Sequence, residues 1–381
     1  MNNKTNVVSI IMSISIFMML VSCQQQKAEW KGTIEEVDGV TIVKNPKEPI
    51  YPDKIVTFEE ELTIGKSEGP EEYLINSIWS FTIDDEGNTY ILDSRPYRIK
   101  VFDEDGKYLR SIGRSGQGPG ELQGPRNIQF TVQKEIMVND SRKGALLFFS
   151  VDGRFLREIR SPTLRLSNNA IADATGNIYI GKYSFGEWED KLIKLLPPYE
   201  NLEVLAAKTA PLREPIPPPQ IRYSLLPGNN LVWGISSEYE FNIVDSEGRL
   251  IKKIEKEHSL VRVTDEYKSK YFERLPPGIP KETQKFSTNF PAFDFFFSDD
   301  EGRLFVKTYE KLEATNKYIF DIFDSEGRFL TRTELKISDE ISLNQDKFII
   351  KNNKLYSKEL TEDGFPALRR YRIIWNFESE D

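Results

Sequence analysis

Short apolar segments along the chain are separated by turns of one recurring composition. Four of these turns place an acid before a glycine and a base after it, with apolar residues on both sides. Glycine tolerates the positive φ of a tight hairpin, and Asp or Ser accepts hydrogen bonds from its own turn. The flanking segments have the β-branched and aromatic content of strands. Each turn therefore predicts a β-hairpin, at residues 102–109, 150–156, 245–251 and 324–330.

A second series of turns lies between the members of the first. Its clearest members read Asp84-Asp85-Glu86-Gly87-Asn88 and Asp299-Asp300-Glu301-Gly302-Arg303, and six turns of this kind start at residues 84, 133, 173, 227, 299 and 351. Their spacing of about 40 to 70 residues is the period of four-stranded propeller blades with loops of varying length. The pattern therefore predicts an all-β chain folded as a six-bladed β-propeller.

The ends of the ring are also predicted by a repeated segment. Residues 61–72, before the first of these six turns, parallel residues 110–122, before the second. We therefore expect the N-terminal strand to be the outer strand of the last blade, beside a C-terminal strand at residues 370–377. Such pairing closes the ring and removes two exposed strand edges.

The N-terminus has the composition of an export signal. Residues 8–21 are apolar apart from three serines, a run too short for a typical membrane span and suited to a signal-peptide core. The run ends at Leu20-Val21-Ser22-Cys23, which resembles the lipobox of bacterial lipoproteins, and Cys23 is the single cysteine of the chain. We expect a signal peptide at 1–22, lipid attachment at Cys23, a tether at 23–40 and the propeller at 41–381. The alternatives are an ordinary signal peptide and an uncleaved short span.

Residues 93–102, followed by residues 112–122, look like an NHL repeat. The chain is similar more broadly to the six-bladed β-propeller lipoproteins of Gram-negative bacteria, and Phe290-Pro291-Ala292-Phe293 before the turn at 299 fits that family. The resemblance implies a lipid-anchored protein of the cell envelope, on the periplasmic side or the cell surface and most simply at the outer membrane. It fixes architecture more than chemistry. The Gly-rich residues 113–120 lead towards another strand, so we interpret them as a connection between blades and not as a phosphate loop.

Composition limits the chemistry. The 381 residues carry a formal net charge of −9, which argues against nucleic-acid binding. His258 is the single histidine, and we interpret it as a loop residue beside Glu257; one histidine cannot build the His-containing metal sets of propeller lyases and lactonases. No Gly-x-Ser-x-Gly motif is present. We therefore predict no catalytic residue, no cofactor and no metal, although a carboxylate or Ca²⁺ site stays open.

The leading interpretation is a membrane-tethered, monomeric binding or scaffolding module for a glycan, peptide or protein; a hydrolase or lyase using carboxylates or Ca²⁺ is the alternative. Ligand contacts are expected from polar and aromatic side chains in the loops after the innermost strands, where propellers present their binding face. The alternative for the two tryptophans is packing between blades. The candidates are Arg95, Tyr97, Arg142, Tyr183, Trp188, Trp233 and Tyr239.

Two insertions interrupt the repeat. Residues 195–221 contain seven prolines and are expected to be extended and semi-rigid. Residues 263–278 include a predicted short helix at 265–275, where Tyr267, Tyr271 and Leu275 recur at helical spacing before Pro276-Pro277-Gly278 ends it. The helix either caps the channel or packs on the side of a blade.

Overall fold

The computed structural model describes residues 29–377 except 53, 95, 166, 168, 185–188, 210–214, 313–316 and 337–347. Within these residues, 26 strands form five four-stranded sheets and one six-stranded sheet, and each sheet contains four strands that run antiparallel in succession. Sheets one to three use β4 (Ile78–Ile83), β5 (Thr89–Ser94), β6 (Tyr97–Phe102) and β7 (Tyr108–Ile112); β8 (Pro125–Phe130), β9 (Glu135–Asp140), β10 (Ala145–Ser150) and β11 (Phe155–Arg160); β12 (Ala170–Ala172), β13 (Ile178–Ser184), β14 (Glu189–Leu196) and β15 (Asn201–Thr209).

The remaining sheets complete a closed ring, and the fold is a six-bladed β-propeller, as predicted. Blade four contains β16 (Ile221–Leu225), β17 (Leu231–Ile235), β18 (Glu240–Val244) and β19 (Leu250–Lys256), and blade five contains β20 (Phe295–Ser298), β21 (Leu304–Leu312), β22 (Lys317–Phe323) and β23 (Phe329–Lys336). Blade six contains β24 (Phe348–Lys351), β25 (Lys354–Leu360), β26 (Pro366–Trp375) and the N-terminal strand β3 (Val56–Ile64). Two further N-terminal strands, β1 (Thr33–Val37) and β2 (Val40–Asn45), precede β3. Short 3₁₀ turns lie at Glu71–Tyr73, Pro162–Leu164, Pro227–Asn229 and Lys281–Thr283.

The predicted turns lie where the repeat places them. The six turns of the second series each join the first and second strands of a blade, and the Asp-Gly turns join the third and fourth strands of blades one, two, four and five. At the first turn, the Asp84 carboxylate accepts the backbone N–H and side-chain amide of Asn88 (both 2.8 Å) and the hydroxyl of Tyr90 (3.1 Å). Gly87 supplies the positive φ of 84°. In blade three the corresponding residues are Asp173, Asn177, Tyr179 and Gly176.

The predicted ring closure is confirmed. Strand β3 pairs antiparallel with β26 as the outer strand of blade six, with Ile64 opposite Leu368 and Val56 opposite Trp375. Cross-strand ion pairs follow the same edge: Arg369 reaches Glu60 at 2.8 Å. The chain ends are thus joined by a strand pair, so opening it exposes two edges at once.

Polar side chains link the innermost strands across blade boundaries. The Ser80 hydroxyl accepts the backbone N–H of Ile128 in the next blade at 3.1 Å. The Asn127 amide donates to the carbonyl of Ala170 (2.8 Å) and accepts its N–H (3.0 Å). These side chains replace a backbone ladder around the axis, which satisfies the inner edges of the sheets. They also interrupt the apolar pattern by which strands are read from sequence.

An N-terminal hairpin extends blade four to six strands. Strand β1 pairs with β2, and β2 lies parallel to β19. The segment from Thr33 to Val40 lies within the predicted tether of residues 23–40, so this part of it is a strand pair and not a tether. The physical reason is that the outer edge of β19 offers unpaired backbone groups, which β2 covers.

The two predicted insertions differ in outcome. A helix, α1 (Asp265–Glu273), forms where predicted, with the Thr264 hydroxyl accepting the N–H of Tyr267 (3.1 Å) at its start, but it ends before Leu275. Its Tyr267 ring meets Phe290 at 4.9 Å, and Phe290 stacks on Tyr309 of β21 at 4.3 Å, so the helix is held to blade five. The Pro-rich insertion was wrongly delimited: residues 201–209 are β15, the outer strand of blade three, because they pair along β14.

Candidate ligand-binding site

The five described candidates, Tyr97, Arg142, Tyr183, Trp233 and Tyr239, lie in or beside the strands that border the second-to-third-strand turns of blades one to four. The placement of this set after the innermost strands was wrong. The innermost strands are the first of each blade, such as β4, which lies beside β8. Successive strands reverse direction, so the turns after the innermost strands lie on the opposite face. Arg95, Trp188 and Cys23 lie outside the described residues.

Tyr97 and Arg142 lie near two residues that the sequence did not single out. The ring of Tyr97 lies 6.2 Å from that of Trp79 on β4, and the guanidinium of Arg126 on β8 lies 5.5 Å from the Trp79 ring. Arg126 also donates to the Ser141 hydroxyl (3.1 Å), which brings it beside Arg142. Both arginines are exposed and both rings are half-buried. We name Trp79, Tyr97, Arg126 and Arg142 the aromatic–arginine group.

A buried carboxylate fixes the arginine side of this group. Asp140, at the end of β9, is 0% exposed and accepts the backbone N–H groups of Gln123 (2.7 Å), Gly124 (3.1 Å) and Lys143 (3.1 Å). It therefore ties the turn that carries Arg142 to the segment that leads into Arg126. Close packing adds to this, since a Cβ at Gly124 would come within 2.8 Å of the Arg142 Cβ.

The corresponding residue of blade one fixes the aromatic side. Asp93 accepts the backbone N–H groups of Asn76 (3.2 Å) and Ser77 (3.3 Å), just before the strand that carries Trp79. The Asp-Ser pairs at 93–94 and 140–141 are the sequence signal for this arrangement, because both follow an apolar strand. An aspartate that accepts backbone N–H groups therefore holds the segment before the innermost strand in both blade one and blade two.

The Gly-rich residues 113–120 join β7 to β8, so the interpretation as a connection between blades is confirmed. The Glu121 carboxylate accepts the N–H of Gly118 (2.8 Å) and pairs with Arg114 (2.8 Å), and these contacts lower the pKa of Glu121. The Ser115 hydroxyl accepts the N–H of Tyr97 (3.1 Å). The connection thus packs beside the aromatic–arginine group and holds its Tyr97 end.

Tyr239 belongs to a different feature, a small pocket between blades four and five. Its hydroxyl donates to the Asp321 carboxylate at 2.5 Å, which also pairs with Lys256 (3.3 Å) and Arg332 (2.8 Å). The pocket holds about 60 Å³, room for a few waters. Burial and the Asp321 charge raise the pKa of Tyr239 well above its usual range, and burial lowers the pKa of Lys256.

His258 also lines this pocket, with its ring 5.5 Å from that of Tyr239, and burial lowers its pKa. The sequence interpretation missed Asp321, Lys256 and Arg332. Asp321 carried a usable signal, because it is the one charged residue inside the apolar run 318–323. Buried Asp321 is thus paired with buried Lys256 and half-buried Arg332, and Tyr239 faces Asp321 instead of solvent.

The other described candidates lie apart from both features. Trp233 packs against the apolar core between blades three and four, which confirms the alternative stated for it. Tyr183 is a half-buried residue of β13. Within the described ranges, no group of three or more His, Cys, Asp or Glu side chains is placed to hold a metal ion. No helix in the same part of the chain is long and apolar enough to cross a membrane.

The comparisons with known proteins agree with the architecture. The family model DUF5128, described as a 6-bladed beta-propeller, matches residues 68–195. A Bacteroides fragilis structure named "Putative exported protein" is similar at 14% identity over 87% of this chain and 99% of that chain, with a TM-score of 0.53. A member of the duf4221 family from Bacteroides vulgatus is similar at 11% identity over 84% and 98%, with a TM-score of 0.53. No curated protein sequence matches the chain. These likenesses establish the propeller fold.

Proposed function

We propose that this chain is a lipid-anchored, extracytoplasmic binding module that captures an acidic glycan at the aromatic–arginine group. One observation carries the proposal: exposed Arg126 lies over the half-buried Trp79 ring, which neighbours Tyr97, and exposed Arg142 directly follows the Ser141 that Arg126 contacts. Aromatic rings offer flat apolar surface to a sugar ring. Guanidinium groups bind carboxylates through paired charge-assisted hydrogen bonds.

The rigidity of the corner supports binding. Asp140 and Asp93 hold both sides through backbone N–H groups, so little side-chain or loop ordering is left for the ligand to impose. Preorganisation of this kind raises affinity by lowering the entropic cost of association. Arg126 is further restrained by its contacts with Trp79 and Ser141.

The anchor rests on the N-terminal sequence. The apolar core at residues 8–21 and the Leu20-Val21-Ser22-Cys23 motif support export and acylation of Cys23. The similar Bacteroides fragilis protein is named as an exported protein, which agrees with this location. We propose attachment at the outer membrane. Labelled palmitate should enter the parent chain and not Cys23→Ala; label in neither would remove the anchor.

Binding is tested by titrating polygalacturonate, an acidic polysaccharide, and a neutral polysaccharide against the mature chain. We expect Arg126→Gln with Arg142→Gln to weaken polygalacturonate binding more than about tenfold, because each charge-assisted bond contributes about 1.5 to 3 kcal/mol. The matched control is Arg154→Gln with Arg249→Gln, which removes two exposed arginines from the third-to-fourth-strand turns on the opposite face.

Unchanged affinity in the first double variant would reject the aromatic–arginine group as the site. Equal binding of the neutral polysaccharide would reject the acidic class of ligand. Capture of acidic peptides but not of the polysaccharide would replace the glycan with a peptide ligand.

A further inference from the structure

The N-terminal segment is clamped to one rim of the ring. The Trp30 indole donates to the Asn45 side-chain carbonyl (3.1 Å), and Trp30 packs against the apolar core between blades five and six. Gly32 permits this contact, since a Cβ there would lie 2.3 Å from the Trp30 ring. The path of the chain is therefore set from Trp30 onward.

Asn45 joins the clamped segment to two blades through hydrogen bonds. It is buried, its amide donates to the carbonyls of Glu255 in β19 (3.1 Å) and Gly327 in blade five (2.9 Å), and its oxygen accepts the N–H of Phe329 (2.7 Å). The clamp thus lies at the outer junction of blades four and five. This rim is the place where the segment from Cys23 joins the propeller.

The reach from Cys23 to this rim is short. Seven residue steps separate Cys23 from Trp30, and a fully extended chain of that length spans at most about 25 Å. A folded body of this size is about 50 Å across by the usual scaling with chain length. A lipid on Cys23 therefore keeps the clamped rim near the bilayer, while the far rim has no such restraint.

The ring order identifies the far rim. Blades contact their neighbours in chain order, and blade six meets blade one, so blade one lies opposite blade four and blade two opposite blade five. Apolar side chains are exposed beside the clamp: Ile34 on β1 is 54% exposed, and Leu260, just after β19, is 68% exposed. Glu257, three residues before Leu260, donates its N–H to the Asn45 carbonyl at 3.1 Å.

From this placement we propose that the rim of blades four and five, led by the β1–β2 hairpin with Ile34 and Leu260, is the surface that meets the lipid bilayer. The aromatic–arginine group on blades one and two is then directed away from the membrane, towards ligands in the surrounding space. Exposed apolar side chains on the rim would enter the interfacial region and add to the hold of the lipid. This inference rests on the proposed anchor at Cys23.

The test uses the full lipidated chain in phosphatidylcholine vesicles that carry a headgroup quencher. Acylation occupies Cys23, so an introduced cysteine is the one free thiol for a fluorophore. Ile34→Cys and Leu260→Cys report the clamped rim, and Leu109→Cys on β7 and Val151→Cys in blade two report the opposite rim; all four positions are exposed. We expect several-fold stronger quenching at both clamped-rim positions, with thermal melts showing that each variant is folded.

The outcomes separate the two proposals. Failure of the chain to float with the vesicles would remove the anchor and this inference with it. Flotation with equal quenching at all four positions, or with stronger quenching at Leu109→Cys and Val151→Cys, would overturn the membrane-facing rim and leave the anchor in place.

Discussion

Blades one to three and blades four to six are built from the same repeat and differ in what is added to it. The family model matches residues 68–195, which cover blades one and two and most of blade three. The β1–β2 hairpin, helix α1 and the pocket around Asp321 all lie on blades four and five, outside that match. We call blades one to three, which contain this match, the matched half and blades four to six the other half; the hairpin, helix α1 and the pocket are additions to the repeat in the other half.

Two buried ion pairs show the same contrast. In blade one, Lys100 donates to the backbone carbonyls of Glu71 (3.1 Å) and Leu74 and lies 3.7 Å from Asp93, with both charged side chains 0% exposed. In the other half, Lys256 and Asp321 border a pocket. The connection that contains Glu71 and Leu74 covers the Lys100–Asp93 pair, whereas the Lys256–Asp321 pair between blades four and five borders a cavity. The comparison indicates that the first pair is structural and that the second has room for solvent.

The largest expected effect comes from opening the ring. A chain that stops after Gly364 lacks β26, and β3 loses its partner. We expect loss of cooperative melting by calorimetry in both halves, because every blade depends on its neighbours. Stopping after Phe377 is the matched control and should keep the parental melting temperature. Retained amide protection across residues 68–195 in the chain ending at Gly364 would show that the matched half folds independently.

Removing either of the two buried carboxylates should lower the free energy of unfolding, by different amounts in the two halves. Asp321→Asn removes the carboxylate that Tyr239, Lys256 and Arg332 share, and removing one member of a buried pair costs about 3 to 5 kcal/mol. Lys256 then keeps the Glu257 carbonyl and Arg332 keeps Glu310. Asp93→Asn should cost less, about 1 to 3 kcal/mol, because it removes the charged partner of one side chain, Lys100, which keeps two carbonyl acceptors. Urea unfolding measures both. Equal losses of unfolding free energy in the two variants would contradict this difference between the Asp321 and Asp93 environments.

Two turn glycines differ in the space around them. Gly327 has a φ of 88°, and a Cβ there would lie 2.7 Å from Ile254, whereas a Cβ at Gly87, with a φ of 84°, meets only the flexible Glu104 side chain at 3.6 Å. Both alanine variants should cost about 1 to 2 kcal/mol for the left-handed backbone. Gly327→Ala should cost more because Ile254 must also move. Equal free energies of unfolding for the two variants would show that Ile254 moves at the blade boundary without a loss of stability.

Alkaline pH should lower stability through a buried tyrosine in each half. Burial and the neighbouring Asp84 raise the pKa of Tyr90, and burial and Asp321 raise that of Tyr239. The unfolded chain loses these protons above pH about 10 while the folded chain keeps them, so stability present below that pH falls as pH rises. Tyr90→Phe and Tyr239→Phe should each reduce this loss by about 1.4 kcal/mol at pH 11, measured against pH 9. An unchanged pH slope in either variant would contradict the cause assigned to that tyrosine.

The sequence predicts the turns better than the strands between them. Asp84 and Gly87 reveal a hairpin because the turn itself requires them, and residues 61–72 reveal the closure because they repeat a later segment. The candidate residues were assigned to the loops after the innermost strands but lie at the second-to-third-strand turns, because the turn composition does not show which of the four strands is innermost. The β1–β2 hairpin was missed although Asp38-Gly39 is a local hairpin signal. Its position beside β19 has no local signal, because β19 lies about 200 residues further along the chain.

Two members of the proposed site were chosen from the sequence. Tyr97 and Arg142 were chosen by residue type, and the structure brings them to the same corner. Trp79 and Arg126 were missed because their partners, Tyr97 and Ser141, are distant in sequence. Tyr239 was chosen for its aromatic ring, but its environment depends on Asp321 in the next blade. Contacts between blades depend on how neighbouring blades pack around the ring, and no local sequence pattern encodes that packing.

Hydrogen exchange with and without polygalacturonate tests most directly whether ligand binds on the matched half. We expect slower exchange in residues 96–97, 123–127 and 141–144, which carry or frame Tyr97, Arg126 and Arg142, and unchanged exchange in residues 239–259 beside the pocket. Protection confined to residues 239–259, with none at the aromatic–arginine group, would contradict it.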